Sequence, residues 1–307
     1  MHPSRTAQPQ NSLRYSMLAL DLDGTLLNTA GVVSRENIDA VTRARHAGMT
    51  ITICTGRGLV ECQPALESIE QTSPVAVAGG AIVACPRTSL TLHRFSINLD
   101  LVTRTVRTLL DHGHPALILK DPIEAGYDYL VVTGDEPHPL DPVTLWWFDT
   151  MNVKVRYARR LDEDEHPEHT VRVGACGLSG GLGRMKQELV DELGERVTIH
   201  SFPCVVAPHM TRRASDGQTL HILEVFDQSA TKWSAISYLA RESGVPPERI
   251  AAIGDEINDV PMLEGAGLGV AMGNAVQAVR KVAQQHTLRN DEHGVSHAID
   301  QILAGAW

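Results

Sequence analysis

The sequence predicts an α/β fold in which a parallel sheet flanked by helices is interrupted by an inserted α+β module. Three observations support this prediction. Strands alternate with helices over residues 17–84, the alternation returns after about residue 228, and the stretch between them has more strands than helices. We therefore expect a flexible tail at 1–15, a core formed by 16–86 and 227–307, and an inserted module at 87–226.

The first part of the core begins with "MLALDLD" (17–23), an apolar run typical of a buried parallel strand. Ser34 is a good N-cap for a helix that ends at Gly48. A β-branched strand, a helix and a strand that turns at paired glycines follow: "MTITICTGR" (49–57), "LVECQPALESI" (59–69) and "PVAVAGGAIV" (74–83). This order predicts parallel strands joined by helices.

After Pro86 the pattern changes, because strands outnumber helices. The strand candidates are rich in β-branched and apolar residues: "TLHRFSI" (91–97), "ALILK" (116–120), "YDYLVVTG" (127–134), "HTVRVGACGL" (169–178) and "RVTIHSF" (196–202). The two helix candidates cover 99–113 and 183–194. We expect residues 135–169, which are rich in proline and charge, to be mostly loop. Residues 200–227 look like a hairpin of "CVVAP" (204–208) and "TLHILEVF" (219–226).

The last part of the chain returns to alternating helices and strands. The predicted order is helix, strand, short helix, strand and helix: "TKWSAISYLARESG" (231–244), "RIAAIGD" (249–255), "NDVPMLEGAG" (258–267), "LGVAMG" (268–273) and "NAVQAVRKVAQQH" (274–286). These strands would complete the parallel core sheet.

Composition narrows the classes of partner and compartment. The 307 residues carry a net charge of −10, which disfavours general nucleic-acid binding. No apolar stretch approaches the length of a membrane span, and the polar N-terminus lacks the apolar part of a signal peptide. The five cysteines are scattered without a CxxC pair, which favours a reducing compartment. We expect a cytoplasmic protein, monomeric or homodimeric, without membrane or nucleic-acid partners.

Polar residues follow three of the predicted parallel strands: "DLD" (21–23), "TGR" (55–57) and "GDEIND" (254–259). Because parallel strands end at one edge of a sheet, these clusters should be neighbours in space. Asp21, Asp23 and Asp255 are hard oxygen donors suited to Mg²⁺, which would also relieve their mutual repulsion. Asp21 and Asp23 point to the same side of the strand, as suits one nucleophile and one proton donor or acceptor.

Groups that can hold an anion accompany these carboxylates. Gly24 permits a sharp turn whose N–H groups converge. Thr55, Gly56 and the start of the following helix offer a second anion site, and Lys232 supplies a positive charge at a helix start. Each motif alone has an ordinary explanation as a turn, a cap or a surface residue. Their joint occurrence after apolar strands favours a catalytic site.

At these motifs the sequence resembles the haloacid dehalogenase (HAD) superfamily, specifically the Cof-like hydrolases with a class IIB α/β cap. "DLDGTL" (21–26) is similar to the first motif of that family, "TGR" (55–57) to the second, "TKWSAISYL" (231–239) to the lysine-bearing helix start and "GDEINDVPML" (254–263) to the fourth motif. "GLGVAMGNA" (267–275) and "RNDEHGV" (289–295) also resemble family stretches. The resemblance implies a Rossmann-like core with an inserted cap.

The resemblance also implies roles for individual residues. Asp21 would attack phosphorus and bind Mg²⁺, and Asp23 would serve as acid and base with its backbone carbonyl on the metal. Asp255 would bind the metal, helped by Glu256. The phosphoryl oxygens would be held by the N–H of Leu22 and by Thr55, Gly56, Lys232 and Asn258. Asp259 would orient the metal site or Lys232, while Arg57 would either contact phosphate or substrate or cap its helix.

The sequence departs from the family pattern at two places, and a few further residues are open. Ala78 stands where the family usually has Asn, and the hairpin at 200–227 is longer than usual. Lys120 and Asp121 are weak candidates for a substrate loop. Trp146 and Trp147 suit packing better than a substrate pocket, and Cys54 is best read as a small core residue.

The resulting prediction is a Mg²⁺-dependent phosphatase that hydrolyses a small, sugar-phosphate-like metabolite through an aspartyl-phosphate. A phosphomutase of the same fold is one alternative, and a non-catalytic binding or regulatory protein is another. The substrate cannot be read from the motifs, because cap residues set specificity in this family.

Overall fold

The computed structural model describes residues 13–204 and 218–307. Five parallel strands form the core sheet, in the order β14-β13-β12-β1-β2. Their bounds are Met17–Leu20 (β1), Thr50–Ile53 (β2), Ile250–Gly254 (β12), Leu268–Ala271 (β13) and Gln285–His286 (β14). Every residue of β1 and β12 is buried, as expected for central strands covered on both faces.

The register of the core sheet brings three strand ends to one level. Leu20 of β1 pairs with Ile53 of β2 on one side and with Ile253 of β12 on the other. The residues that follow these strands therefore meet at the same edge of the sheet. This is the edge at which the sequence predicts the functional groups.

Helices α1 (Arg35–His46), α2 (Leu59–Ser68), α7 (Lys232–Glu242), α8 (Val260–Gly265), α9 (Gln277–Val282) and α10 (Gly294–Leu303) belong to the core segments. Helix α1 packs against α10, and α7 packs against α8. Ser34 caps α1 by accepting a hydrogen bond from the N–H of Asn37, as its position in the sequence predicts. The predicted last helix at 274–286 is shorter than expected, because the chain turns into β14 after Val282.

A second sheet has six strands in the order β10-β11-β9-β6-β7-β8. Their bounds are Ala116–Lys120 (β6), Tyr129–Val132 (β7), Val155–Ala158 (β8), Thr170–Leu178 (β9), Val197–Pro203 (β10) and Leu220–Asp227 (β11). All neighbours are antiparallel except β7 and β8. Helices α3 (Leu99–Asp111) and α6 (Ser179–Leu193) pack on one face of this sheet.

Alternation along the strands gives this second sheet two apolar faces. Ile118 and Leu130 face a separate hydrophobic core beneath α3 and α6. Leu117 and Tyr129, one residue away, belong to the main core. The inserted sheet is therefore packed directly against the core part of the chain, and the predicted α/β fold with an inserted α+β module is confirmed.

A small antiparallel sheet of β3 (Val75–Val77), β4 (Ile82–Ala84) and β5 (Thr91–Arg94) extends the core. A parallel bridge between Cys54 and Ala76 joins it to β2. Thus residues 91–94, which we assigned to the inserted module, pair with a strand of the core. The domain boundaries themselves stay a prediction.

One expectation for the inserted module is wrong. Residues 135–169, predicted as mostly loop, contain helix α5 (Pro142–Thr150) and strand β8. Asp141 caps α5 by accepting from the N–H of Val143, and Pro142 occupies the first turn, where proline is favourable. A short helix, α4 (Pro122–Ala125), was also not predicted.

The hairpin expected at 200–227 lies partly outside the described residues. The predicted "TLHILEVF" strand is β11, which pairs with β10, whereas residues 205–217, including most of "CVVAP", lie outside the described residues. Across the described ranges, none of the helices combines the length and apolar character needed to cross a membrane.

Candidate active site

Lys232 lies between two aspartates at the carboxyl edge of the core sheet. It begins α7, which is capped by Thr231 through a hydrogen bond from the N–H of Ser234. Its Nζ donates to Oδ1 of Asp21 and to Oδ1 of Asp259, each at 2.5 Å. Burial opposes the lysine charge, but the two carboxylates outweigh it and raise the pKa of Lys232 above its usual value. Lys232 is thus a fixed, buried cation.

Both carboxylate oxygens of Asp259 are engaged within the protein. While Oδ1 accepts from Lys232, Oδ2 accepts from the N–H groups of Asp255 and Glu256 at 2.8 and 3.0 Å. Gly254 allows this approach, because a Cβ there would lie 2.5 Å from the carboxyl carbon of Asp259. Asp259 therefore fixes both Lys232 and the turn after β12.

Asp255 approaches the first motif from the other side. Its Oδ1 accepts from Thr25 Oγ1 at 3.0 Å and its Oδ2 accepts from Asn274 Nδ2 at 3.1 Å. Asn274 also donates to the carbonyl of Gly24 at 2.8 Å. Gly24 has φ 74°, and a Cβ there would lie 2.2 Å from Asp255 Oδ2, so glycine is required at this turn. Sequence reasoning missed Thr25 and Asn274, although both lie in quoted motifs.

The carboxylates of Asp21, Asp255 and Asp259 are crowded, with ligand oxygens within 4.8 Å of one another. Burial, followed by the charge of Asp259, raises the pKa of Asp255 to about 7. The same two causes raise the pKa of Asp21 well above its usual value. These buried carboxyl groups resist being ionised at the same time, and a divalent cation would compensate their charge. They are also hard oxygen donors, so the cluster fits a Mg²⁺ site. Because Asp21 and Asp255 line the cavity described below and Asp259 does not, Asp21 and Asp255 are the carboxylates that would hold the ion.

Asp23 is held apart from that cluster by Arg57. The guanidinium donates through Nε to Oδ2 of Asp23 at 2.8 Å and through Nη2 to Oδ1 at 2.5 Å. It also donates to the carbonyl of Glu61 in α2, and it lies 5.0 Å from the ring centre of Trp147. Arg57 therefore positions the Asp23 side chain, a role that neither sequence-based alternative named.

The other predicted residues surround the same strand ends. Leu22 is buried at the start of the turn after β1, and Thr55 is buried after β2, where its Oγ1 accepts from the N–H of Arg57. Gly56 and Asn258 line a cavity, and the buried Oδ1 of Asn258 has no hydrogen-bond partner among the described residues. The Glu256 side chain accepts from the N–H of Ile257, so it caps a turn rather than joining the acidic cluster.

A cavity of about 370 Å³ opens between these residues and the second sheet. Asp21, Asp23 and Asp255 line one end, whereas the remaining wall comes largely from the inserted module. Trp147 packs against the main core, as expected, but it also belongs to that wall, and its Nε1 donates to Glu61 Oε1 at 2.7 Å. The volume is in the range of small-molecule sites.

Two residues considered for a substrate loop have structural roles instead. Lys120 is fully buried and donates to Asp164 and to Thr170, the latter at 2.7 Å. Asp121 accepts from Arg94 at 2.8 Å and caps α4. Neither residue lines the cavity.

Ala78 adopts φ 53°, in the left-handed region that non-glycine residues rarely occupy. It follows β3, and its N–H donates to the carbonyl of Arg57. Asn is enriched in this conformation, which gives a backbone reason for the Asn usual in the family. The Ala78 side chain is fully buried.

The cysteines are less scattered in space than in sequence. Cys176 Sγ and Cys204 Sγ lie 3.5 Å apart, and both residues line the cavity. Cys54 is fully buried beside the strand end, and burial raises the pKa of its thiol to about 12. This agrees with a core role for Cys54.

Comparisons with known proteins identify the family to which the chain is similar. The sequence profile of the haloacid dehalogenase-like hydrolases matches residues 18–299. A Bacillus subtilis relative, named 5-amino-6-(5-phospho-D-ribitylamino)uracil phosphatase, is 29% identical over 314 residues, covering 94% of this chain and 99% of the relative.

Solved structures share the fold. A haloacid dehalogenase-like hydrolase from Bacteroides thetaiotaomicron superimposes with a TM-score of 0.73 at 24% identity, covering 94% of this chain and 99% of that one. A sugar phosphatase of HAD subclass IIB gives a TM-score of 0.73 at 20% identity, covering 93% and 98%. With its motifs in place and most of its length matched, the chain belongs to the haloacid dehalogenase-like hydrolases.

Proposed function

We propose that the protein is a Mg²⁺-dependent phosphatase that hydrolyses a small phosphorylated metabolite through an aspartyl-phosphate on Asp21. The observation that carries the proposal is the buried arrangement of Lys232 between Asp21 and Asp259, with Asp21 and the neighbouring Asp255 lining the cavity. That the protein is a phosphatase of the HAD family is confirmed by the family match and by the named relatives.

The proposed chemistry begins at Asp21. Lys232 holds Oδ1 of Asp21, so the carboxylate is fixed before a substrate arrives. The other oxygen attacks phosphorus, the bond to the leaving oxygen breaks, and Asp23 gives that oxygen its proton. Asp23 then takes a proton from the water that attacks the aspartyl-phosphate, which releases inorganic phosphate and restores Asp21.

Groups that would neutralise or bind the negatively charged phosphoryl oxygens support these steps. Held by Asp21 and Asp255, with the backbone carbonyl of Asp23, Mg²⁺ would neutralise charge on the phosphoryl oxygens. We assign the remaining contacts to that group to Lys232, Thr55, Gly56, Asn258 and the N–H of Leu22. Asn258 lines the cavity, which supports its part in this set, with its side-chain N–H group as the donor.

Two alternatives make different predictions. A phosphomutase would return the phosphoryl group to a product, whereas a phosphatase releases it to water. A binding protein that retains the fold would release no phosphate from any substrate. The complete set of Asp21, Asp23, Lys232 and Asp255 favours an enzyme over the binding protein.

The test is a panel of phosphorylated metabolites incubated with purified protein and Mg²⁺, with released phosphate measured. Sugar phosphates come first, and the substrate named for the Bacillus subtilis relative is a second arm. We expect turnover that disappears with a chelator and returns with Mg²⁺. Isomerised substrate without free phosphate would replace the proposal with a mutase, and chelator-resistant turnover would remove the metal from it.

Location and assembly remain predictions. We propose action in the cytoplasm as a monomer or homodimer, supported by the acidic charge balance and by cysteine usage typical of a reducing compartment. A sedimentation measurement on the purified chain tests the assembly.

A further inference from the structure

The part of the cavity wall that the inserted module forms is largely apolar and aromatic. The inserted module contributes Tyr129, Trp147, Phe148 and Phe202 to it. Tyr129 and Phe148 have ring centres 5.1 Å apart. A plain sugar carries hydroxyl groups on every side, and each one buried here without a partner would cost free energy. Flat aromatic surfaces are suited to stack with planar groups.

One ion pair of the inserted module interrupts this apolar wall. Arg172 of β9 and Glu224 of β11 both line the cavity, and Nη1 of Arg172 lies 2.5 Å from Oε1 of Glu224. Each side chain is only 5% exposed. The guanidinium is further fixed by Tyr129 Oη at 2.5 Å and by the carbonyl of Gly56 at 2.9 Å. Arg172 thus joins the inserted module to the predicted phosphate loop.

A buried ion pair of this kind contributes little net stability, because desolvation offsets the attraction between the charges. A function in ligand binding would explain why the protein retains this ion pair in spite of its desolvation cost. A carboxylate offers acceptors and a guanidinium offers donors, side by side, within a wall that is largely apolar. Adjacent N–H and C=O groups of a heterocycle match such a pair.

We propose that Arg172 and Glu224 determine substrate specificity by binding the leaving group, and that this group carries a planar heterocycle with N–H and C=O functions. The ring stacks on the aromatic wall, Glu224 accepts from its N–H, and Arg172 donates to its C=O. The inference rests on the proposed phosphatase function and names the class of phosphomonoester that the cavity prefers.

The first experiment compares matched substrates that differ only in the ring. Ribose 5-phosphate and uridine 5′-monophosphate share the phosphorylated ribose, and 3-methyluridine 5′-monophosphate keeps the ring but blocks one N–H. Riboflavin 5′-phosphate, set against ribitol 5-phosphate, widens the ring class. We expect at least one heterocyclic substrate to exceed its ring-free partner in kcat/KM by about tenfold or more, as one charged hydrogen bond allows.

The second experiment uses substitutions. Glu224→Gln keeps the side-chain shape and should reduce the ratio of kcat/KM between the heterocyclic and ring-free substrates at least tenfold, mainly through KM. Asp164→Asn is the matched control, because it breaks another buried ion pair, with Lys120, that does not line the cavity. Phe202→Leu, at a half-buried position on the wall, tests stacking without touching the ion pair.

The outcomes separate the two proposals. If no phosphomonoester releases phosphate, the proposed function fails. If phosphate is released but no heterocyclic substrate is preferred over its partner, only the present inference fails. It also fails if Asp164→Asn changes the substrate ratio as much as Glu224→Gln does, because the effect would then come from a loosened module. Should Glu224→Gln not fold, an unchanged ratio in Phe202→Leu overturns the inference.

Discussion

Lys232 Nζ is 2.5 Å from Oδ1 of Asp21 and 2.5 Å from Oδ1 of Asp259, with all three side chains buried. One cation therefore serves two carboxylates on different strand ends. Asp21 is held by a single oxygen, which leaves its other oxygen to act as a nucleophile. Asp259 spends both oxygens on Lys232 and on backbone N–H groups, so its role is to hold the lysine.

Replacing Asp21 by Asn tests the nucleophile. The amide keeps the volume and can still accept from Lys232, whose charge remains paired with Asp259. We expect turnover to fall by at least about 10³-fold, because removing a nucleophile eliminates the covalent route. Phosphate release measures the loss, and an unchanged thermal melting temperature within a few degrees checks the fold. Near-normal activity would contradict the assignment of Asp21.

Replacing Lys232 by Met tests the electrostatic balance of the site. Two buried carboxylates would lose their cation, and breaking a buried pair typically costs about 3–5 kcal/mol of unfolding free energy. Urea unfolding measures that loss. Asp259→Asn should then cost less in the Lys232→Met background than in the wild type, since it removes one uncompensated charge. Additive effects of the two substitutions would contradict this coupling.

The part of the site that lies at strand ends could be predicted from the sequence. "DLD", "TGR" and "GDEIND" each follow an apolar run, and the aligned register of β1, β2 and β12 brings them together. Strand burial and the parallel order were enough to predict this meeting point. The pairing of Asp23 with Arg57 was not predictable, because the direction of a long side chain depends on packing against Trp147.

The inserted module was harder to predict for a physical reason. Its residues alternate between two apolar faces, and a bulge between Leu119 and Lys120 shifts the register of β6 against β9. Periodicity alone therefore does not tell which side of β9 Arg172 occupies. Arg172 and Glu224 are 52 positions apart and became partners only through the neighbouring strands β9 and β11.

The backbone conformation of Ala78 predicts that two alanine-to-glycine substitutions differ in their effect on stability. Ala76→Gly in β3 and Ala78→Gly both remove a fully buried methyl group and both add freedom to the unfolded chain. Only Ala78 has a left-handed backbone, at φ 53°, which costs an L-residue roughly 1–2 kcal/mol. We expect Ala78→Gly to be more stable than Ala76→Gly by about that amount in chemical denaturation. Equal losses would mean that Ala78 is not strained.

From the buried His200 we predict that the free energy of unfolding decreases as the pH is lowered. Burial, and next the charge of Lys232, lower the pKa of His200 to about 4, with Lys186 adding to the effect and Asp259 opposing it. The unfolded chain binds the proton near pH 6.5. Stability is therefore full above about pH 6.5 and is lost as the pH falls toward 4, by roughly 2 kcal/mol at pH 5.

The check is urea unfolding of His200→Asn at pH 8 and pH 5. The variant should lose less stability between these pH values than the wild type does. Substitution of the exposed His46 by Asn is the control and should follow the wild type. Parallel losses in the His200 variant and the wild type would show that this imidazole titrates alike in both states.

Arg57 predicts how the leaving group affects turnover. Its two hydrogen bonds fix the Asp23 carboxyl, so Arg57→Met should release that side chain and lower kcat about 10–100-fold for an alkyl phosphate, with a smaller change in KM. A p-nitrophenyl leaving group departs without much help from an acid, so its turnover should fall far less. Arg43→Met, which breaks an exposed pair with Asp300, is the matched control and should affect neither substrate. Equal losses for both leaving groups would mean that Arg57 supports binding or folding and does not act through Asp23.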